Sequence, residues 1–138
     1  MTHLRSILAA TDGGPSGRLA VVRAASIARE TGAELHAVHV VDPDLELTAT
    51  SSTTDSVAET ELRRHLARIR PRPELHVGHG STFVEIVHLA RSLDVDLIVA
   101  GAHRSPGLRR FFIGTTAGRL APHGPRPLLL VRGPGRGP

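Results

Sequence analysis

The chain has 138 residues, a length typical of one domain, and we expect that domain over residues 1–132 with a disordered tail over 133–138. Apolar residues make up 40% of the composition, but with three Phe and no Tyr or Trp the core must be aliphatic, which argues against nucleic-acid binding on stacked aromatic platforms. All 17 basic residues are Arg and are spread along the chain, a pattern that favours a solvated surface over a nucleic-acid-binding patch.

The same composition bears on the cellular compartment in which the protein is expected. Zero Cys excludes disulfides and thiol chemistry and is consistent with a reducing environment. No apolar run approaches the roughly 20 residues of a membrane-spanning helix, and the N-terminus has no signal-peptide core. We therefore expect a cytoplasmic protein without membrane contact.

Short apolar runs predict five strands. Several are almost continuously apolar rather than alternating, as expected for strands that are covered on both faces of a parallel sheet. The runs extend over Ser6 to Thr11, Glu34 to Val41, Glu74 to Gly78, Asp96 to Gly101 and Pro127 to Arg132.

Helical patterns lie between these runs. The first helix has Pro15 near its start, Gly32 at its end and an inward stripe of Ala20, Ala24, Ile27, Ala28 and Thr31. The second buries one face made of Ala58, Leu62, His65, Leu66 and Ile69 and ends before Pro71.

Two further helices follow. The third opens with Thr82 to Glu85, a sequence that fits a capping box, and directs Phe83, Ile86, Val87 and Ala90 inward. A short fourth helix is predicted from Gly114 to Pro122. The polar stretch from Asp42 to Asp55 is a connection long enough to be mobile.

The alternation of strands and helices predicts an α/β fold with a doubly wound, open parallel sheet. In such sheets, ligands bind beyond the carboxyl ends of the strands, where the strand order reverses. Thr11 and Asp12 follow the first strand, and the segment from Gly101 to Arg104 follows the fourth. If these two strands are neighbours, both segments face one crevice.

Gly114, Thr115 and Thr116 open the predicted fourth helix. A helix N-terminus offers free N–H groups and partial positive charge to an anion such as a phosphate. The alternative is that Gly114 only permits a turn and Thr115 only caps the helix.

These residues together resemble the universal stress protein family. Ile7 to Gly13 is similar to the opening strand and acidic turn of that family, and Glu34 to Val40 is similar to its second strand. The C-terminal third of the family is matched by Gly101 to His103, by Gly114 and Thr115, and by Pro125 to Val131. The resemblance covers nearly the whole chain. It implies a Rossmann-like, five-stranded sheet of order 3-2-1-4-5, frequent dimerisation, and a family branch that binds ATP.

By that resemblance, Asp12 would contact the ribose or order the nucleotide, and the backbone at Val40 would read the adenine edge. Ala10 and Ala100 would line the adenine slot, and Mg²⁺ would bridge the phosphates. The residues assigned to the nucleotide in this way are Ala10, Thr11, Asp12, Val40, Ala100, Gly101, Arg104, Gly107, Gly114, Thr115 and Thr116.

Arg104 is a departure from the family pattern, because the ATP-binding branch has Gly at this position. A Cβ there would penalise a close backbone approach to phosphate or a positive φ. A guanidinium could instead pair with phosphate oxygens, helped by Arg109 and Arg110. Both outcomes remain open at the level of sequence.

The sequence shows no dedicated catalytic apparatus. We therefore expect a stress-response regulatory module that binds ATP, forms a homodimer through the strand Pro127 to Val131, and acts on a protein partner not identified by the sequence. The alternatives are a dimeric interaction protein that binds no nucleotide and a slow ATPase or autophosphorylating protein with Thr115 or Thr116 as acceptor.

Nine His raise the question of a metal site, because Glu34-Leu35-His36 is echoed by Glu74-Leu75-His76. If the second and third strands paired in register, His36 would neighbour His76 and His39 would neighbour His79. No Cys or carboxylate completes a usual ligand set in that arrangement. The expectation from sequence is therefore that these histidines bind no metal.

Overall fold

A computed structural model of the chain describes residues 3–11, 15–41, 52–101 and 126–131. The predicted fourth helix and the tail lie outside these residues. The described elements are β1 (Ser6–Ala10), α1 (Pro15–Thr31), β2 (Glu34–Val41), α2 (Ser52–Leu66), β3 (Glu74–His79), α3 (Thr82–Ser92), β4 (Leu97–Gly101) and β5 (Leu128–Val131).

The five strands form one parallel sheet of order β3-β2-β1-β4-β5, which confirms the predicted fold class and strand order. Strand β1 is central, and all five of its residues are buried. Each predicted strand is present, and its ends differ by at most one residue from those of the apolar run. The apolar runs predict the strands well because burial on both faces requires apolar side chains at successive positions.

Helices α1 and α2 cover one face of the sheet. Ala20, Ala24 and Ala28 pack with Leu62 and Leu66 against the odd-numbered residues of the central strands. Val21 and Ala25 are also buried and widen the predicted stripe of α1. These small side chains let the helix approach the sheet closely.

The inward position predicted for Thr31 is wrong, because the residue is exposed. Its hydroxyl donates to the Ile27 carbonyl at 2.8 Å and lies 3.3 Å from the Ala33 amide, from which it accepts a hydrogen bond. Backbone groups at the end of a helix lack helical partners and take hydrogen bonds from side chains instead. Thr31 therefore stays at the surface, where its hydroxyl can bond to the backbone, and does not turn toward the core.

Helix α3 covers the opposite face. Ile86 and Ala90 are buried there against Leu8, Val38 and Ile98, and Phe83 and Val87 pack at the border of the same cluster. The four inward positions predicted for this helix are confirmed. With helices on both faces, the sheet is doubly wound.

Two helix starts differ from the sequence expectation. Helix α2 begins at Ser52, so the end of the predicted connection from Asp42 to Asp55 is helical, as its Ser, Thr and Asp residues favour in a first turn. Helix α3 has Ser81 as its N-cap with no side-chain cap hydrogen bond, so the capping box predicted for Thr82 and Glu85 is wrong. Glu85 follows Ser81 by four residues, one too many for that motif.

Asp96 joins the beginnings of β1 and β4. Its Oδ2 accepts hydrogen bonds from the amides of Arg5 at 2.8 Å and Ser6 at 3.2 Å, and its own amide donates to the Ser6 carbonyl at 2.8 Å. These bonds fix the two central strands relative to one another at their amino ends. The carboxyl ends of the same strands are then aligned as well.

His65 is the polar residue on the inward face of α2. Its Nε2 is buried and has no hydrogen-bond partner within the described part of the chain. Burial lowers the pKa of His65, and the positive charges of Arg18 and Arg68 lower it further. The folded protein therefore disfavours the protonated ring.

We expect acid to destabilise the protein through His65. Its folded-state pKa lies below the ordinary value of 6.5, so the unfolded chain binds the proton more tightly. The contribution of His65 to the free energy of unfolding is complete above that value and decreases as the pH falls below it. Urea unfolding at about pH 7.5 and about pH 5.5 should show a smaller decrease for His65→Gln than for the wild type.

The matched control is His88→Gln, which replaces an exposed histidine on α3. A decrease in stability that is the same in His65→Gln and in the wild type would contradict the role of His65.

Candidate functional site

The strand order reverses between β1 and β4, at the carboxyl ends of two neighbouring strands. Ala10 has Val38 of β2 as its partner on one side and Ala100 of β4 on the other. Both alanines are buried, and Gly101 ends β4 one residue beyond Ala100. The adjacency required for a shared crevice is therefore present, and small residues form the end of the sheet there.

Thr11 continues the pairing of β1 with β2 beyond the end of the strand. Its amide donates to the Val38 carbonyl at 2.9 Å, and the residue is only 4% exposed. The His39 Nδ1 lies 3.3 Å from the Thr11 carbonyl, within hydrogen-bond distance. The chain is thus held by β2 up to the point where it leaves the sheet toward Asp12.

His39 is a residue that no sequence pattern assigns to this edge. In the sequence it is only one half of a possible histidine pair with His79. Its contact with the Thr11 carbonyl depends on how β1 and β2 are staggered. No local sequence pattern reports that stagger.

Val40 lies near the carboxyl end of β2, opposite Gly78 of β3, and packs at the border of the α3-side cluster. A Cβ added to Gly78 would lie 3.0 Å from the Glu85 Oε2. The carboxylate of Glu85 therefore reaches the same edge of the sheet from the first turn of α3. Sequence reasoning missed this residue because it assigned Glu85 to a capping box.

The described residues thus include five of the predicted nucleotide-site residues. Two lie at the end of β1, one at the end of β2 and two at the end of β4: Ala10, Thr11, Val40, Ala100 and Gly101. The other six predicted residues lie outside the described residues: Asp12, Arg104, Gly107, Gly114, Thr115 and Thr116.

A separate polar cluster lies at the amino ends of β2 and β3. The two strands are not aligned His to His, because His36 is opposite Glu74 and His76 is opposite Val38. The His36 Nδ1 is nevertheless 3.1 Å from the His76 Nε2. It is also 3.4 Å from the Glu74 Oε2.

The shift of two residues changes the sequence expectation for these histidines. A carboxylate does join the pair, which the in-register arrangement did not provide. Burial lowers the pKa of His76, and the nearby Glu74 carboxylate opposes that shift. Among the described residues, His36, Glu74 and His76 form a group whose ligand atoms could hold a metal ion.

Comparison with known proteins identifies the family. The family model described as "Universal stress protein family" matches residues 3–132. The chain belongs to the universal stress protein family. The match spans nearly all of the sequence.

Curated relatives of this universal stress protein lie at modest identity. A universal stress protein of Methanocaldococcus jannaschii is 30% identical over 141 residues, covering 94% of this chain and 83% of the relative. A universal stress protein A homolog of Coxiella burnetii is 30% identical over 131 residues, covering 86% of this chain and 89% of the relative.

Solved structures of other universal stress proteins share the fold. UspA of Lactobacillus plantarum superposes with a TM-score of 0.73 at 24% identity, covering 96% of this chain and all of that one. A universal stress protein in complex with cAMP has a TM-score of 0.68 at 22% identity, with 95% and 98% of the two chains covered. One from Archaeoglobus fulgidus in complex with dAMP has a TM-score of 0.65 at 20% identity, with 94% and 98% covered.

None of the helices in the described part of this universal stress protein is long and apolar enough to cross a membrane.

Proposed function

We propose that this universal stress protein is a regulatory module that binds an adenine nucleotide, ATP with Mg²⁺, in the crevice between the carboxyl ends of β1 and β4. The observation that carries the proposal is the pairing of Ala10 with Ala100 at the point where the strand order reverses. Neither side chain extends beyond Cβ, so neither would obstruct a flat base that lies beyond the end of these strands. This position in a doubly wound sheet is the usual one for nucleotides.

The ligands of the structural neighbours support the choice of base. Their complexes contain cAMP and dAMP, which share adenine and differ in sugar and phosphate. Adenine is therefore the part of the ligand for which the comparison gives most support. The phosphate chain of ATP is our extension from the family resemblance.

Each predicted residue has a role within this proposal. The Val40 backbone reads the adenine edge, Ala10 and Ala100 border the base, and Asp12 contacts the ribose. Gly101, Gly107, Gly114, Thr115 and Thr116 form the ribose-phosphate end, where N–H groups and hydroxyls can donate to phosphate oxygens. Mg²⁺ is coordinated mainly by those oxygens, as is usual for this ion.

The hydrogen bonds of Thr11 prepare this end of β1 for a ligand. Its amide is bonded to β2 and its carbonyl lies beside the His39 ring, so the backbone on the amino side of Asp12 is held before any ligand arrives. A preorganised residue loses less conformational entropy on binding. Asp12 then has a fixed starting point from which to reach a ribose.

Binding can regulate only if two states of the protein differ in affinity for ATP. We propose that ATP contacts both Asp12 and the segment from Gly101 to Thr116 and orders that segment. The ordered state then presents a different surface to a protein partner. By linkage, the partner would raise or lower the affinity for ATP by the same factor.

Freshly purified protein should carry a bound adenine nucleotide, visible as a mass shift in native mass spectrometry. Asp12→Asn should weaken ATP binding measured by calorimetry with Mg²⁺ present, because it removes the charge from the proposed ribose contact. Glu30→Gln is the matched control, since Glu30 is exposed on α1. Absence of co-purified nucleotide together with no binding at about 1 mM ATP would contradict the proposal.

Two substitutions at Arg104 separate its possible effects. If the guanidinium pairs with phosphate, Arg104→Gly and Arg104→Ala should both weaken ATP binding by about tenfold or more, the loss expected for a charged hydrogen bond. This is the outcome we expect. If the Cβ instead obstructs the backbone, Arg104→Gly should bind more tightly while Arg104→Ala does not.

The edge strand β5 supports a proposal about assembly. Leu129 and Leu130 are 36% and 47% exposed. Because neighbouring residues of a strand point to opposite faces, the edge is apolar on both faces of the sheet. Edge strands that expose apolar side chains and free backbone groups favour pairing with another chain. We propose that two copies pair through residues 127–131 about a two-fold axis, which lets each strand cover the other.

Leu130→Asp should convert the dimer into a monomer at micromolar concentration, because it would place a charge in the paired edge. Sedimentation or light scattering measures the mass. Val84→Asp is the control, since Val84 is similarly exposed on α3, which packs against β2 and β3 at the other side of the sheet. A monomeric wild type would rule out this mode of pairing.

A further inference from the structure

The polar cluster of His36, Glu74 and His76 lies far from the proposed nucleotide crevice. The cluster is at the amino ends of β2 and β3, and the crevice is at the carboxyl end of the sheet. From His36 to Val40 the strand advances four residues, about 13 Å at the usual rise per residue. The proposed function gives the cluster no role.

A repeated sequence pattern builds this cluster. Glu34 and His36 are two residues apart on β2, as are Glu74 and His76 on β3, so each pair points to one face of the sheet. The two-residue shift between the strands places His36 opposite Glu74. All four side chains therefore project from the face that α3 covers.

The distances within the cluster match those around a single ion. Two ligands of a tetrahedral Zn²⁺ with bonds of about 2.0–2.1 Å lie roughly 3.3–3.4 Å apart. The His36 Nδ1 lies 3.1 Å from the His76 Nε2 and 3.4 Å from the Glu74 Oε2. One ligand atom from each of the three residues lies within 4.8 Å of the others.

The second nitrogen of His36 has a carboxylate nearby, at ion-pair distance. Its Nε2 lies 3.7 Å from the Glu34 Oε2. Metal-binding histidines commonly direct their other N–H at a carboxylate, which fixes the tautomer and makes the coordinating nitrogen more basic. His36 itself is only 6% exposed, so the strands hold its ring in place.

We infer that His36 Nδ1, His76 Nε2 and the Glu74 carboxylate form a binding site for a divalent transition-metal ion, with Zn²⁺ as the ion that fits best. Two imidazoles and one carboxylate are a known zinc ligand set that leaves a fourth position for water. The charges of Glu74 and Glu34 together balance a dication. The Glu74 side chain is 69% exposed, which gives the ion a path from solvent.

The ligand atoms also set the selectivity. Imidazole nitrogen favours Zn²⁺ and neighbouring transition metals, whereas Mg²⁺ prefers oxygen ligands and keeps several waters. Two of the three ligands here are nitrogens. The site should therefore discriminate against the ion expected to accompany ATP.

The test uses the full chain without an affinity tag, treated with chelator and free of nucleotide. Titration with Zn²⁺ alone, followed by calorimetry, should give one ion per chain, and the same titration with Mg²⁺ should give no binding to this cluster. Elemental analysis after desalting checks the stoichiometry. Because no ATP is present, the result is independent of nucleotide binding.

Variants locate the ion. Glu74→Gln and His76→Gln should each weaken Zn²⁺ binding, and Glu34→Gln should weaken it by about 10–100-fold, as expected for loss of an outer carboxylate. Glu74 and Glu34 are exposed, so these two variants should keep the fold, which circular dichroism verifies. His88→Gln, on an exposed helix position, is the control and should bind as the wild type does.

Nuclear magnetic resonance of the histidine rings gives a second measurement. Zn²⁺ should shift the Nδ1 signal of His36 and the Nε2 signal of His76. The inference is overturned if Zn²⁺ does not bind stoichiometrically, or if either Glu74→Gln or His76→Gln binds as tightly as His88→Gln. Shifts confined to other histidine rings would overturn it too.

Discussion

The structure depends on the parallel pairing of β1 with β2 on one side and with β4 on the other. Every residue of β1 is buried, and both apolar clusters include its side chains. Asp96 fixes the amino ends of β1 and β4, because its carboxylate accepts hydrogen bonds from the Arg5 and Ser6 amides and its own amide donates to the Ser6 carbonyl. Because evenly spaced hydrogen bonds join parallel strands along their length, two strands that are aligned at their amino ends are also aligned at their carboxyl ends.

The two ends of this sheet differ in chemistry because they carry different side chains. At the carboxyl end, β1 and β4 finish in small buried residues, Ala10, Ala100 and Gly101, which carry no side-chain atom beyond Cβ. The amino end of β2 and β3 has long polar side chains, Glu34, His36, Glu74 and His76. One end suits a ligand recognised by backbone and shape, and the other suits a small cation.

Most of the fold could be predicted from the sequence because buried segments need apolar residues at successive or regularly spaced positions. A strand covered on both faces needs successive apolar residues, and a run such as Leu97 to Ala100 is too short for a buried helix and too apolar for a surface loop. The carboxyl ends of the first and fourth strands followed from the same logic, whereas the roles of Ala10, Val40 and Ala100 in a nucleotide site came from the family resemblance alone. Helix starts were harder to predict, because several neighbouring Ser and Thr residues precede or begin α2 and α3 and each of them is a common N-cap residue.

The histidine cluster could not be predicted because it depends on the relative shift of two strands. When one strand is shifted by two residues along its neighbour, every side chain stays on the same face of the sheet. The pattern of apolar and polar residues is therefore equally compatible with both registers. The same shift exchanges a His–His pair for a His–Glu pair and brings a carboxylate into the group. The contact of His39 with Thr11 likewise depends on how far β2 extends beyond β1, which is a property of the sheet and not of either strand.

The two edges of the sheet are unequal, and this inequality limits how copies can associate. Strand β5 exposes leucines at one edge, whereas β3 at the other begins and ends with the exposed polar residues Glu74 and His79. A sheet with two apolar edges could add copies without end and grow into a fibre, since each addition would expose a new edge. In the proposed pairing through β5, the described strands offer one such edge, so addition would stop after a single partner, because the polar β3 edge does not favour pairing with a further copy.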